Sequence, residues 1–298
     1  MPRISRRQAV VGGLSLAAFT AFTACAQPRA YSDPGGWARL DELQRRDNVL
    51  IGVYAVDLDT GRTVAFGADR MLAMCSTFKG YAAAAVLARA RRGDLTLQDP
   101  VVIEAGDIQP HSPLTEPRVG TTMTLAELCV AAVQQSDNTA ANLLLHALGG
   151  PPAITEFARS IGDDRSRLDR WETELNSAIP GDPRDTTTPQ AIGTGYRNLL
   201  AGDALEPADR DLLDQWLRGN ETSSMRAGLP AGWTTADKTG SGDYGTANDV
   251  GIAYGPEGRR LLLSLMVRSA GDDPDAPSSR PLIGELTALL VSELDHRQ

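Results

Sequence analysis

Ser76-Thr77-Phe78-Lys79-Gly80-Tyr81-Ala82-Ala83-Ala84-Ala85-Val86-Leu87-Ala88-Arg89-Ala90-Arg91-Arg92 is an Ala- and Leu-rich run that breaks at Gly93-Asp94. Alanine loses no side-chain entropy in a helix and glycine stops one, so the run predicts a buried helix from Thr77 to about Arg92. Helical patterns recur downstream at 124–134, 138–148, 151–161, 188–201 and 207–218. Upstream, a Pro/Gly-rich linker, Ser32-Asp33-Pro34-Gly35-Gly36, precedes a short amphipathic helix over 37–46 and a strand from Val49 to Asp57. The turn Asp59-Thr60-Gly61-Arg62 then leads to a second strand near Thr63 to Phe66. Towards the C-terminus, Val250 to Tyr254 and Leu261 to Arg268 read as strands on either side of Gly255-Pro256-Glu257-Gly258, and a last helix starts at about Pro281. Strands at both ends with helices between them define an α/β fold. Its antiparallel β-sheet is built from both termini (37–72 and 219–298) and flanked by helices, and an all-α domain (73–218) is inserted, with the active site where the two meet.

At 298 residues and 42% hydrophobic content the chain can bury a sizeable core. Its net charge is −9, and the first 26 residues carry Arg3, Arg6 and Arg7 with no acid, so a body without them is more acidic by three charges. Such a body repels phosphate, which argues against nucleic acid or an anionic membrane as a partner. Ser5-Arg6-Arg7-Gln8-Ala9-Val10, followed by an uncharged stretch through Cys25, fits a twin-arginine export signal over 1–26, cleaved after Ala24-Cys25-Ala26. A lipid-modified Cys25 ranks second, because Phe22 stands where lipoprotein sites prefer Leu. The expected location is periplasmic or secreted, with no membrane contact after signal removal unless Cys25 is lipidated. Cys75 and Cys129 then remain and read as buried small apolar residues. With no Cys-x-x-Cys and only the scattered His111, His146 and His296, no metal site is expected.

Ser76 and Lys79 stand at i, i+3, which brings hydroxyl and amine onto one helical face, where the lysine can take the serine's proton. The helix N-terminus adds unpaired N–H groups that favour developing negative charge. Further on come Ser136-Asp137-Asn138, between two helices, and Lys238-Thr239-Gly240-Ser241, ahead of a C-terminal strand. Each short motif alone is weak. In this order, after a Ser-x-x-Lys that opens a helix, they resemble the penicillin-recognising serine enzymes. Arg170-Trp171-Glu172-Thr173-Glu174-Leu175-Asn176 further resembles the omega loop of class A β-lactamases, and Arg184-Asp185-Thr186-Thr187 resembles that loop's far end. The resemblance runs from about residue 37 to the C-terminus and includes Asn220 to Trp233.

The resemblance implies a hydrolase that opens the β-lactam ring of penicillin- and cephalosporin-type antibiotics. Ser76 would be the nucleophile, its proton going either to Lys79 or to a Glu172-bound water, while Glu172 with Asn176 would activate the deacylating water, and Ser136 would relay a proton to the lactam nitrogen. The N–H groups of Ser76 and Ser241 would form the oxyanion hole. Asn138 would contact the substrate's side-chain amide, and Lys238, Thr239 and Ser241 its carboxylate. Arg170 and Asp185 would form an ion pair closing the loop. No cofactor is implied, and a monomer is the family expectation. Two positions depart from many relatives: His111 replaces a rim aromatic and Ala247 a substrate-binding arginine, for which Arg280 is the candidate substitute. Gly240-Ser241-Gly242-Asp243-Tyr244-Gly245 spells a dinucleotide fingerprint but leads into strand-like residues, not a helix. A cell-wall transpeptidase or D,D-carboxypeptidase shares the serine–lysine chemistry but lacks the Glu172 and Asn176 pairing. A β-lactam sensor would carry a transmembrane helix and a signalling domain.

Overall fold

The computed structural model describes residues 34–295; the stretch 1–26 read as an export signal, with Cys25, and His296 lie outside them. In chain order the elements are α1 (Pro34–Asp47), β1 (Val49–Asp57), β2 (Thr63–Phe66), β3 (Leu72–Ala73) and α2 (Phe78–Arg92). The middle holds β4 (Pro100–Val102), β5 (Thr122–Thr124), α3 (Leu125–Gln134), α4 (Asn138–Leu148), α5 (Pro151–Ser160), β6 (Thr186–Thr187), α6 (Pro189–Leu200) and α7 (Pro207–Arg218). The chain closes with β7 (Thr234–Ser241), β8 (Ala247–Tyr254), β9 (Arg260–Ser269) and α8 (Arg280–Asp295). Pro34-Gly35-Gly36, expected as linker, form the first turn of α1, a place where proline is tolerated because its missing N–H has no helical partner.

Five strands pair in the order β2-β1-β9-β8-β7, every pairing antiparallel, so N-terminal β1 lies against C-terminal β9 along its whole length, from Val49 opposite Ser269 to Asp57 opposite Leu261. The sheet is buried on both faces, which is why β1 reads as an apolar run and not as an alternation. On its outer face Ile51, Val53, Leu263 and Leu265 pack with α1 and α8 through Leu40, Ile283, Leu286 and Leu290. On its inner face Tyr54, Ile252 and Leu262 join the larger core of the helical insert. That insert is helical apart from two short pairings, β3 with β6 and β4 with β5. Among the described residues no helix is long and apolar enough to cross a membrane.

Helix α2 is buried from Phe78 to Leu87, and its run of alanines from Ala82 to Ala85 lets surrounding helices approach closely. Two glycines and two tyrosines set how it meets α6. A Cβ on Gly80 would stand 2.1 Å from the Tyr196 hydroxyl, and one on Gly195 would stand 1.8 Å from the Tyr81 hydroxyl. Both phenols are buried and bonded, Tyr196 to Thr77 O at 2.7 Å and Tyr81 to Asp163 Oδ2 at 2.8 Å, so neither has an unmet donor to relieve by moving. The helix behind Ser76 is thereby fixed against the helix that covers the sheet.

Candidate active site

Ser76 lies in a single 3₁₀ turn, Cys75–Thr77, just before α2, and not within the helix itself. Cys75 holds the left-handed conformation at φ 46°, a backbone state that costs a β-carbon-bearing residue on the order of 1–3 kcal/mol. The turn is packed against β7: a Cβ on Gly240 would meet Met74 O at 2.8 Å and Ser76 N at 3.2 Å. Glycine at 240 is what lets strand and nucleophile turn touch. The Ser76 hydroxyl donates to Glu172 Oε1 at 2.9 Å, and Lys79 Nζ stands 2.9 Å from that same oxygen. Serine and lysine, expected to face each other along one helix, meet instead at a shared carboxylate.

Lys79 is buried and also donates to Ser136 O at 2.8 Å and Asn138 Oδ1 at 2.6 Å, with Ser136 Oγ at 3.4 Å. Burial lowers its affinity for a proton, and the Glu172 carboxylate opposes that shift. The Asn138 amide donates onward to Pro110 O at 2.7 Å. Ser136 sits between α3 and α4 at φ 57°, and its hydroxyl accepts from Lys238 Nζ at 3.1 Å, so it lies between two ammonium groups. Asp137 caps α4 by accepting from Ala140 N at 2.8 Å and anchors the preceding loop through Leu114 N, Thr115 N and the Thr115 hydroxyl.

The strand expected after Lys238-Thr239-Gly240-Ser241 is β8, and the motif itself is the end of a further strand, β7, that the sequence did not suggest. Its polar residues hide the usual apolar alternation, and the ladder to β8, from Thr234 opposite Tyr254 to Ser241 opposite Ala247, makes it a strand. Lys238 Nζ reaches Ser136 Oγ at 3.1 Å and the Thr239 hydroxyl at 3.4 Å, and that hydroxyl lies 2.5 Å from the Thr222 hydroxyl. Burial, with the Lys79 ammonium as the next cause, pushes Lys238 down to about 7. On the same side as Thr239, Asp237 accepts from Asn220 Nδ2 at 2.6 Å and Asp249 accepts from Ser224 N and Met225 N. Burial first, then the Asp237 charge, raises Asp249 well above the usual carboxylate range. The Gly240 to Gly245 glycine pattern covers this strand end and the turn to β8.

Glu172 is held at three points. Asn176 Nδ2 donates to its Oε2 at 2.5 Å, and Asn142, on α4, bonds both its backbone N–H and its carbonyl at 2.9 Å. The loop ends are joined where Arg170 Nε donates to Asp185 Oδ2 at 2.6 Å, with Asp169 N and Arg170 N donating to Asp185 Oδ1. Asp185 is fully buried.

A serine and a lysine sharing one buried carboxylate, on a loop closed by a buried ion pair, is an arrangement with known counterparts. The model of the β-lactamase enzyme family matches residues 37–294. The chain belongs to that family. β-Lactamase AST-1 of Nocardia asteroides is 44% identical over 98% of this chain and 97% of its own length. Two solved structures are similar throughout: the β-lactamase of Desulfarculus baarsii (TM-score 0.86, 42% identity, 90% of this chain and 100% of that one) and an ancestral class A β-lactamase (TM-score 0.82, 48% identity, 87% and 99%). The chain is a class A β-lactamase, a hydrolase of β-lactams.

Around the centre of this β-lactamase, His111 is exposed at φ 58° with Nε2 2.9 Å from Gln135 O, and Ala247 is buried in the outer core. Arg280, at the first position of α8, donates to Thr222 O at 2.6 Å and Ser224 Oγ at 3.2 Å. It is therefore one residue removed from Thr239. Cys75 and Cys129 are free and buried. Sequence reading missed Asn142 and Thr222. Asn142 carries one signal, since it lies one helical turn beyond Asn138 on α4 and so shares its face.

Proposed function

We propose that this β-lactamase opens the β-lactam ring of penicillin- and cephalosporin-type antibiotics through an acyl-enzyme on Ser76, and so confers resistance to them. The observation that carries the assignment is the meeting of Ser76 Oγ, Lys79 Nζ and Asn176 Nδ2 on the two oxygens of Glu172. Ser76 Oγ attacks the lactam carbonyl while its proton passes to Glu172, the base already accepting it. The backbone N–H groups of Ser76 and Ser241 receive the oxyanion, a contribution typically worth about 2.7–4 kcal/mol per donor. As the C–N bond breaks, the nitrogen takes the Ser136 hydroxyl proton, which Lys79 restores and then recovers from Glu172. In the second step Glu172, positioned by Asn176, takes a proton from water. The water oxygen adds to the acyl carbon, the bond to Ser76 breaks, and the proton returns to Ser76.

Lys238, Thr239 and Ser241 bind the substrate carboxylate, with Arg280 completing the set, and Asn138 meets the side-chain amide. Ammonium and hydroxyl donors are what an anion requires once it leaves water. Residues 37–72 with 219–298 and residues 73–218 act as the two walls of the cleft. The N-terminal 26 residues direct export by the twin-arginine route to the periplasm or medium, and the mature chain works as a monomer without a cofactor.

Intact mass after exposure to penicillin tests the roles. In Glu172→Ala the Lys79 amine can still take the Ser76 proton but nothing activates the deacylating water, so a covalent adduct should accumulate with turnover reduced by about 10²–10⁴-fold, whereas Ser76→Ala should form none. Turnover at the parent rate by the Glu172 variant would overturn the assignment.

A further inference from the structure

Behind the loop that carries Glu172 there is a second concavity. Residues 178–184 stand off the body and enclose about 250 Å³ against Met71, Leu72, Ala73, Thr186 and Arg268. Its walls are mostly apolar. Met71 and Ile179, two of six large hydrophobic residues left exposed among the described residues, both face it, at 40% and 47% exposure. Large apolar side chains placed together at the mouth of a cavity have a cost in water that an occupant removes.

One end of the cavity is cationic. Arg184 is matched by Asp182, its Nη2 2.7 Å from Oδ2, so this pair contributes no net charge. Arg268 has no ion pair among the described residues. Its side-chain hydrogen bond goes to Ser269 O at 2.7 Å, and burial lowers its proton affinity while the nearby Asp272 carboxylate, which is outside the cavity lining, opposes that shift. The lining thus has an excess of one positive charge in a chain of net charge −9. A guanidinium with free N–H groups at the end of an apolar slot matches a planar carboxylate attached to a small hydrocarbon body.

We propose that this cavity is a binding site for small apolar monocarboxylates, with the carboxylate on Arg268 and the hydrocarbon part between Met71, Ile179 and Pro180. The volume is below the roughly 300–1,000 Å³ of sites for drug-sized ligands, which restricts the occupant to about one ring. The site is separate from the carboxylate-binding strand at Lys238 and Ser241, and the proposal does not depend on the roles given to Ser76 or Glu172. The occupied wall includes Ala178, two residues from Asn176, so an occupant lies against the segment that positions the hydrolytic machinery.

Benzoate is the probe, with binding followed by ligand-observed NMR and located by hydrogen exchange of the intact protein. Saturable binding with a Kd of roughly 1–10 mM is expected for a ligand this small. Slower exchange is expected in residues 178–184 and 71–73. Arg268→Ala should weaken binding about tenfold or more, the usual loss for one charged hydrogen-bonded contact. Ile179→Glu, on the exposed wall, should do the same by charge repulsion without touching the core. KM for penicillin should stay within about twofold in both variants, because neither residue reaches the cleft. Protection confined to residues 234–241, affinity unchanged in both variants, or no saturable binding would overturn the proposal.

Discussion

Asn142 bonds the backbone of Glu172 on both sides, its Oδ1 accepting from Glu172 N and its Nδ2 donating to Glu172 O, each at 2.9 Å. The same helix, α4, presents Asn138 to Lys79 one turn earlier, so a single rigid element spaces the lysine and the carboxylate to which Ser76 donates. A carboxylate on a loop needs such a rigid reference to stay within hydrogen-bond reach of a nucleophile. Asn142→Ala should lower kcat by about 10²-fold, the usual result of a displacement near 1 Å, with substrate binding little changed. Asn142→Asp should not rescue it, because an oxygen would then face Glu172 O. Single-turnover kinetics that show parental deacylation in either variant would contradict this role.

Asp185 closes the loop from inside. It is fully buried, accepts from Asp169 N at 2.7 Å, Arg170 N at 2.9 Å and Arg170 Nε at 2.6 Å, and its own carbonyl accepts from Met74 N at 2.9 Å. Breaking a buried pair by removing one charge typically costs about 3–5 kcal/mol, whereas an exposed pair is worth about 0–1 kcal/mol. In Asp185→Asn that loss should fall on the loop, since the core clusters are untouched. Hydrogen exchange should accelerate over residues 170–185 more than elsewhere, with slower hydrolysis. Exchange unchanged in that segment would rule out the pair as the loop's closure.

The helices were legible because their signals are local: the Ala-rich run of α2, the Thr124 and Glu127 capping box of α3, and the glycine that ends α4. Strand β7 was not, because Asp237, Lys238 and Thr239 are polar and buried, and partners distant in sequence compensate for that burial. The placement of Ser76 shows the same limit. Spacing put serine and lysine on one helix, but a 3₁₀ turn directs the hydroxyl to Glu172, 96 residues later in the chain. Asn142 had no motif of its own, and its meaning appears only when α4 lies beside the loop.

Lys238 gives the site a pH dependence whose sign follows from its surroundings. Burial and Lys79 push it down to about 7, while Asp249, Asp237 and Glu172 act in the opposite direction. The ammonium that receives a substrate carboxylate is therefore lost as pH rises through about 7 in the empty site. An alkaline fall in kcat/KM with a midpoint near 7 is expected, carried by KM more than by kcat, because kcat/KM reports groups of the free enzyme. Lys238→Arg keeps its proton and should move that fall to higher pH. For folding the sign is reversed: the unfolded chain holds this proton up to about 10.4, so Lys238 makes stability rise with pH from about 7 to there. A flat kcat/KM from about pH 5 to 9, roughly two units either side of the midpoint, would exclude the assignment.

Arg218 and Arg226 bond β7 at Thr234 and Thr235, away from its carboxylate-binding end, whereas Arg280 is linked to Thr239 at that end, and Ala247, buried in the outer core, supplies no charge. Its path runs through one residue: Arg280 donates to Thr222 O at 2.6 Å, and the Thr222 hydroxyl lies 2.5 Å from that of Thr239. Arg280 is exposed, so turning towards a bound carboxylate gives up only its bonds to Thr222 O and to the Ser224 hydroxyl. Lys238, with its lowered affinity for a proton, is an incomplete counter-charge above neutral pH, whereas a guanidinium stays protonated throughout. Arg280→Ala should therefore raise KM for penicillins about tenfold with kcat within about twofold, the pattern of a contact made equally in ground and transition states. The penalty should grow as pH rises from 6 to 8, because Lys238 loses its charge over that interval. Arg280→Lys should recover only part of the loss, since an ammonium cannot make the paired planar contact. A KM unchanged for penicillins and cephalosporins at both pH values would leave Lys238, Thr239 and Ser241 to hold the carboxylate without it.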